Sequence, residues 1–416
     1  MQALILAAGE SSRMRPLSNG IHKSMLMLLG KPLLQHVIEK LKEKEITNIV
    51  VVIGKDSNIE NYFGDGRKFG VSLTYVTQEN PSGMGEAILL AEKYLDKEFI
   101  LLNAYHLEVD KVIDSLLAKN AEEVDGVLLV KQTKNPSDYG IVSVEGDRVK
   151  QIVEKPESGK EPTDLRIIGI YLLSFSFFAE LKKTTSEHYS LETALNTYVK
   201  NHNVVFVETK EETIVLKYPW DLLAIKDYLL KDVKSHRGEN VSIADSAQII
   251  GEVWIEDNVT ILEGACIKGP CYLGKNSYIG SNALLRNRID VEGNVVIGAY
   301  METMNSIFMK GVTTHSGFIG DSIVGDETKI GAQFCTANVR LDRETVKALV
   351  KEKKVDSGLK HFGMVIGSNS LIGIKSSTMP GVIIGSRVSI GPSTTVLHNV
   401  EDGKKYYTKF QEIINE

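Results

Sequence analysis

Along the first half of the chain, short apolar runs alternate with stretches in which apolar residues recur every three or four positions. The runs at 3–7, 48–53, 72–76, 99–102 and 126–130 are predicted strands, and 33–41 and 84–94 are predicted amphipathic helices. Such alternation predicts an α/β domain with a mainly parallel sheet and helices on both faces. In sheets of that kind, ligands sit at the carboxyl ends of the strands.

A different pattern governs the second half. Ile243, Ile249, Ile255, Ile261, Ile267, Leu273, Ile279, Leu285, Val291 and Ile297 fall at every sixth position without a gap, with glycine, asparagine and small residues between them. The period resumes at Val324 and Ile330, and again at Ile366, Ile372, Thr378, Ile384, Ile390 and Val396. A six-residue repeat predicts a β-helix: one aliphatic side chain points inward per hexad, and three hexads close a triangular turn. The pattern blurs over 299–317. An insertion at 339–361 carries a predicted helix at 341–351, and breaks of this kind in a solenoid are where function tends to sit. Polar residues 231–240 read as a linker, which divides the chain into 1–230, 231–240, 241–400 and a charged tail, 401–416.

Composition narrows the class without changing this picture. The chain has 416 residues, 43% apolar and 25% charged, which suits a soluble chain of two domains. A net charge of −6 gives no basis for nucleic-acid binding. No apolar run approaches the roughly 20 residues of a membrane helix. The first apolar run lacks a basic leader, so no signal peptide is expected. The three cysteines, Cys266, Cys271 and Cys335, form no C-x-x-C pair, and a reducing, cytoplasmic setting is expected.

Candidate chemistry begins where the first strand ends. Leu6-Ala7-Ala8-Gly9 leads into a small polar loop and then Arg13. Small residues let backbone N–H groups approach a phosphate, and Arg13 and Lys23 supply positive charge nearby in sequence. This run resembles the opening loop of the sugar-1-phosphate nucleotidyltransferases, L-A-A-G-x-G-T-R, followed by K-P and G-K-P. Here Ser11 replaces the second glycine and Ser24 the first proline. The resemblance implies a Rossmann-like α/β domain whose nucleotide is held by Leu6, Ala7, Ala8, Gly9, Gln78 and Gly83. It further implies a sugar held by Gly140, Glu154 and Lys155, in the segments Tyr139-Gly140 and Glu154-Lys155-Pro156. Arg13 and Lys23 would stabilise the charge of the reaction.

The same resemblance implies Mg²⁺, but its ligands are not evident. Tyr105 stands where the family has one metal-binding aspartate and Val215 where it has the other. Ile167 replaces a sugar-binding asparagine. A neutral phenol is a poor Mg²⁺ ligand. Glu108 and Asp110, just beyond, are the nearest carboxylates in sequence.

The hexad half resembles a left-handed parallel β-helix and, within that class, the acetyltransferase half of the bifunctional N-acetylglucosamine-1-phosphate uridyltransferases and their archaeal relatives. Arg286, His315 and Asn338 match that family, while Met304 and Phe318 replace its lysine and tyrosine. The resemblance implies acetyl-CoA as donor, His315 as the base, and Arg286 and Asn338 as substrate contacts. A histidine suits deprotonation of an attacking amine near neutral pH. The β-helix faces predict a homotrimer or higher assembly.

Two functions follow as expectations. The first is an enzyme joining a nucleoside triphosphate (UTP or dTTP) to a hexose-1-phosphate, with an amino-sugar-phosphate N-acetyltransferase half. The second is a catalytically impaired paralogue that binds a sugar nucleotide and regulates an active partner, suggested by Tyr105 and Val215.

Overall fold

The computed structural model describes residues 1–120, 124–184 and 190–411. The end of the charged tail, 412–416, lies outside the described residues. The chain separates into two compact units. The first comprises Met1–Ser11, Gly20–Met25 and Pro32–Val215; the second comprises Ser12–Asn19, Leu26–Lys31 and Leu216–Glu416.

The first unit is built on a nine-stranded sheet. Its strands are β1 (Gln2–Ala7), β2 (Asn48–Ile53), β3 (Ser72–Thr77), β4 (Glu98–Asn103), β5 (Gly126–Gln132), β6 (Gly140–Glu145), β7 (Arg148–Glu154), β8 (Leu165–Ser174) and β9 (Val204–Glu208). They lie in the order β3-β2-β1-β4-β8-β5-β9-β7-β6. β3, β2, β1 and β4 are mutually parallel, whereas β8 runs antiparallel to both β4 and β5. All five predicted strands are present, and β1 is buried along its whole length. Leu4 and Leu6 pack in one core with Ala87 and Ile88 of α3 (Met84–Ala91), Phe177 of α5 (Phe177–Leu181) and Ala194 of α6 (Ser190–Asn201). By the alternation of a strand, Ala3 and Ile5 face the opposite side, and they are equally buried. α1 (Leu33–Glu43) and α4 (Val109–Asn120) pack against each other, and the short α2 (Asn58–Phe63) follows β2 and buries Ile59 and Phe63.

In the second unit, three parallel sheets of 8, 9 and 8 strands wind into the left-handed β-helix. Ile255, Ile261, Ile267, Leu273, Ile279, Leu285, Val291 and Ile297 form its buried axis. Each contributes on the order of 1.5–3 kcal/mol by leaving water. One corner is held by a ladder in which Asn240, Asn258, Asn276 and Asn294 pass a side-chain hydrogen bond from one turn to the next at 3.0–3.2 Å, 18 residues apart. All four have φ between 55° and 61°, a left-handed turn that asparagine tolerates. The coil already includes His236–Arg237, paired with Val253–Ile255, so strand pairing begins inside the segment expected to be a linker.

Two expectations about the breaks change. The coil does not stop over 299–317. Thr303 lies beneath Ile319 rather than beneath a residue 18 on. The turn is shortened at its corners, which blurs the six-residue count without interrupting the core. The predicted helix at 341–351 is instead an antiparallel hairpin, Lys347–Val350 with Lys353–Asp356. Val346 and Ala348 are buried while Leu349 is exposed, a period of two, and Lys351 and Glu352 take φ of 48° and 63° as a left-handed hairpin turn requires.

The second unit also holds a buried charged cluster. Lys226, on α7 (Asp221–Leu230), is fully enclosed. Its ammonium donates to the Arg288 carbonyl at 2.5 Å and Asn305 Oδ1 at 2.7 Å, and pairs with Asp227 at 3.1 Å. Beside it, Asp290 Oδ2 accepts the Leu29 N–H at 3.2 Å, and Glu292 Oε1 accepts the Gly30 N–H at 3.0 Å. Burial pushes the Asp290 carboxyl up to about 7 and raises Glu292 well above the usual carboxylate range, with Asp290 adding to it. Gly30 has φ +76°, and a Cβ there would overlap the Tyr272 hydroxyl.

Candidate functional site

At the carboxyl ends of β1 and β4 the first unit opens a cavity of about 180 Å³. Leu6, Asn103, Gly140, Glu154, Gly169, Tyr171 and Glu192 are among its walls. Three predicted residues therefore meet here: Leu6, Gly140 and Glu154. A Cβ at Gly140 would stand 2.8 Å from Glu154 Oε2, so any side chain there would make the Glu154 carboxylate shift. The antiparallel pairing of β6 and β7 sets Gly140 directly opposite Glu154. Lys155 follows with φ +46°, exposed, its N–H bound to the Tyr139 carbonyl at 3.0 Å; it is not part of the cavity wall.

Tyr171 and Glu192 were not legible as site residues. Tyr171 lies on β8 in a run without polar neighbours, and Glu192 sits on α6 outside any recognised spacing. The Tyr171 phenol is raised well above its ordinary range by burial and by the Glu192 and Glu154 carboxylates. It stays protonated near neutral pH and can donate. The cavity thus offers two carboxylates, a phenol and the Asn103 amide amid aliphatic walls that include Ile167 and Ile168. That set suits a ligand with several hydroxyl or amino groups.

The glycine turn continues this arrangement. Gly9 is exposed, and a Cβ there would meet no protein atom within 4 Å, so the turn leaves open space. Ser11 takes φ +53° where the resembling family has glycine. Its Oγ accepts the Lys23 N–H at 2.9 Å. The Lys23 ammonium stands 4.4 Å from the centre of the Tyr105 ring. Next to Lys23, His22 is buried and held neutral, its imidazole lowered to about 3 by burial and by the Lys23 charge. Arg13 is exposed on the turn Ser12–Met14 and clusters with the second unit. Gln78 is buried, and its amide donates to the Gly83 carbonyl at 3.1 Å and to Glu86 Oε2 at 2.8 Å. Gly83 has φ +127° at the start of α3.

The carboxylates near Tyr105 do not make up a cation site. Glu108 is fully buried, its Oε1 accepting the Ile214 N–H at 3.1 Å and facing His106 Nδ1 at 3.1 Å. Asp110 pairs with Lys40 at 2.7 Å. Val215 is 48% exposed and carries no donor. Asp221 accepts the N–H groups of Lys217 and Tyr218 at 2.6 and 2.8 Å. Among the described residues, no group of three or more His, Cys, Asp or Glu could hold a metal. A hard divalent ion wants several oxygen ligands, and the side chains at the family's metal positions do not fit it.

On the coil, Arg286 and Asn338 lie at one edge of a single sheet face and His315 at the corner where that face begins. Arg286 grips Glu302 Oε1 through Nε at 3.0 Å and a terminal nitrogen at 2.6 Å. Asn338 donates to Asp321 Oδ2 at 2.5 Å, and Asp321 Oδ1 accepts from Asn305 at 2.6 Å. No hydrogen bond joins His315 to Arg286 or Asn338. His315 is exposed, and its N–H pairs with the Ile330 carbonyl.

A profile of the family described as nucleotidyl transferase matches residues 2–228, more than half of the chain. The chain belongs to the nucleotidyl transferase family. The bacterial transferase hexapeptide repeat matches 252–287 and 363–398. The chain is 31% identical to the bifunctional protein GlmU of Methanocaldococcus jannaschii over 98% of each chain. It is 33% identical to the bifunctional sugar-1-phosphate nucleotidylyltransferase/acetyltransferase of Sulfurisphaera tokodaii, over 97% of this chain and 99% of the relative. A crystal structure described as a glucose-1-phosphate thymidylyltransferase from Bacillus anthracis, 21% identical, covers 57% of this chain and 98% of its own with a TM-score of 0.50, which bears on the fold of the first half. The protein is thus a nucleotidyltransferase joined to a hexapeptide-repeat half. Nothing in these comparisons favours the regulatory alternative. Among the described residues no helix is long and apolar enough to cross a membrane.

Proposed function

We propose that this nucleotidyltransferase joins a nucleoside triphosphate, UTP or dTTP, to a hexose-1-phosphate. A phosphate oxygen of the sugar attacks the α-phosphorus and forms the new P–O bond. The bond to the β-phosphate oxygen breaks, and pyrophosphate leaves with the electron pair. Glu154 opposite Gly140, in a cavity beside the glycine turn, is the observation that carries this reading. Glu154, Glu192 and the Tyr171 phenol hold sugar hydroxyls; Leu6, Ala7, Ala8, Gly9, Gln78 and Gly83 border the nucleotide; Lys23 and Arg13 offset charge that builds on the leaving group.

The coil is proposed to transfer acetyl from acetyl-CoA to an amino-sugar phosphate. The amine attacks the thioester carbon, its proton passes to His315, and the thiolate leaves. Arg286 and Asn338, tied to Glu302 and Asp321, form one rim of that face. A homotrimer or higher assembly and a cytoplasmic setting belong to the same proposal.

The test is pyrophosphate release from UTP or dTTP with hexose-1-phosphates. Turnover is expected with at least one pair. Sugar-nucleotide binding without turnover would replace this reading with the regulatory one. Thiol release from acetyl-CoA with glucosamine-1-phosphate, wild type against His315→Ala, tests the second half.

A further inference from the structure

We propose that Ser12, Arg15 and Lys351 form an anion site on the second unit that takes a pyrophosphoryl group, with the coil's hairpin supplying one of its two cations. The group is the last two phosphates of a nucleoside triphosphate or free pyrophosphate. This rests on the nucleotidyl-transfer reading above.

The second unit contains Ser12–Asn19 as well as the coil. That segment is tied to the coil at both of its ends. At one end the Lys351 ammonium donates to Ser12 Oγ at 2.6 Å. At the other, the Asn19 amide donates to Asp402 Oδ2 at 2.9 Å and to Ser386 Oγ at 3.2 Å. Between the two ties Met14 is buried, while Arg13 and Arg15 are exposed. Ser12, Arg15 and Lys351 line one hollow of about 220 Å³, and its other walls are Leu349, Val350 and Ile383.

The hairpin presents Lys351 from a supported position. Val346 and Ala348 are buried, and a Cβ on Gly381 would stand 2.7 Å from Val346 Cγ1. Asn399 joins the hairpin to the coil: its amide donates to the Leu349 carbonyl at 2.8 Å, and its Oδ1 accepts the Ile383 N–H at 2.9 Å. Lys351 itself opens the hairpin turn, with φ +48°.

Two cations and a hydroxyl face the hollow, and no carboxylate lines it. Among the described residues, Arg15 and Lys351 make no ion pair with a carboxylate, and Glu352, next to Lys351, is exposed and does not pair with it. Because Ser12 Oγ accepts from Lys351, the hydroxyl hydrogen remains to donate to another acceptor. A phosphate oxygen accepts from an ammonium, a guanidinium and a hydroxyl alike, and the guanidinium fork can hold two oxygens at once. The apolar walls lower the local dielectric, which strengthens attraction of an anion. Two neighbouring cations repel one another until an anion lies between them, and a group of two linked phosphates carries charge enough to offset both.

The experiment uses the full chain and compares wild type, Lys351→Met, Lys351→Arg, Arg15→Leu and Ser12→Ala. Calorimetry at fixed ionic strength gives the affinity for inorganic pyrophosphate, for UTP or dTTP, and for the matching monophosphate; denaturant midpoints check that each variant is folded. Lys351→Met and Arg15→Leu are each expected to weaken pyrophosphate binding about fivefold. Lys351→Arg, which keeps the charge, should retain most of the affinity. Ser12→Ala leaves both cations and should cost about twofold. The monophosphate should bind all variants equally. A loss shared by pyrophosphate and triphosphate assigns the site to both; a loss confined to pyrophosphate assigns it to the leaving product. Unchanged pyrophosphate affinity in either Lys351→Met or Arg15→Leu would overturn the proposal, as would an equal loss for the monophosphate. A loss in Ser12→Ala as large as that in Lys351→Met would make the contact a mere prop for the segment, and this too overturns it. If wild type releases no pyrophosphate from any substrate pair yet binds it with the expected dependence, the function fails and the site stands. If wild type turns over and the variants bind pyrophosphate as it does, the site fails and the function stands.

Discussion

In the coil, the residues that repeat are the residues that are buried. Ile267, Leu273, Ile279, Leu285 and Val291 are fully enclosed and perform the same task one after another. In the α/β half, the residues that form recognisable motifs are dispersed in role. Leu6, Gly140 and Glu154 line one cavity, Lys155 is exposed outside its wall, and Gln78 is buried with its amide donating to Gly83 and Glu86. A solenoid core is redundant, so its pattern survives any one substitution. An active site uses each residue once, so no neighbour repeats its task and a single replacement is not made good elsewhere.

Five outcomes would break or sharpen this contrast. The largest is expected from Ile267→Ala in the coil axis, at about 2–5 kcal/mol of stability, read from denaturant midpoints, with pyrophosphate release per folded molecule unchanged. Lys226→Met should cost about 3 kcal/mol, because it leaves the fully buried Asp290 without its neighbouring cation and the Arg288 carbonyl and Asn305 Oδ1 without their donor, while Asp227 keeps Arg288 at 3.2 Å. Gly140→Ala places a Cβ against Glu154 Oε2 and should raise the KM for sugar-1-phosphate roughly tenfold, about 1.4 kcal/mol, without shifting the coil's midpoint.

The fourth outcome concerns pH, where the halves should respond in opposite directions. Between about 3 and 6.5, unfolded His22 binds a proton that the folded residue refuses, so its contribution to stability is lost as pH falls. Between about 4 and 7, folded Asp290 binds a proton that the unfolded residue has released, so its contribution is lost as pH rises. Hydrogen exchange of each unit across pH 4–7 should show the two slopes; His22→Asn should flatten the first, and the Asp290→Asn/Glu292→Gln double variant the second, because the buried Glu292 carboxyl is raised in the same direction. The smallest effect is expected from Asn258→Ala, about 1 kcal/mol, through loss of its two exposed hydrogen bonds in the corner ladder.

How much was legible follows from the same contrast. The strands from Gln2 to Gln132 stood out because each is a run of apolar residues, and the coil because its aliphatics recur. The hairpin at 347–356 did not, since its apolar residues fit periods of two and of three or four equally until burial of Val346 and Ala348 decided between them. Glu192 and Tyr171 reach the cavity only through packing of α6 and β8, which no local spacing announces. The Lys23–Tyr105 contact likewise joins residues 82 positions apart, on a turn and a strand end.

The most direct measurement is steady-state pyrophosphate release by wild type and Glu154→Gln, with sugar-1-phosphate and nucleotide varied separately. The expected result is a KM for the sugar phosphate raised roughly tenfold with the KM for the nucleotide unchanged. Unaltered constants for both substrates, or a change confined to the nucleotide, would contradict the assignment of the cavity to the sugar.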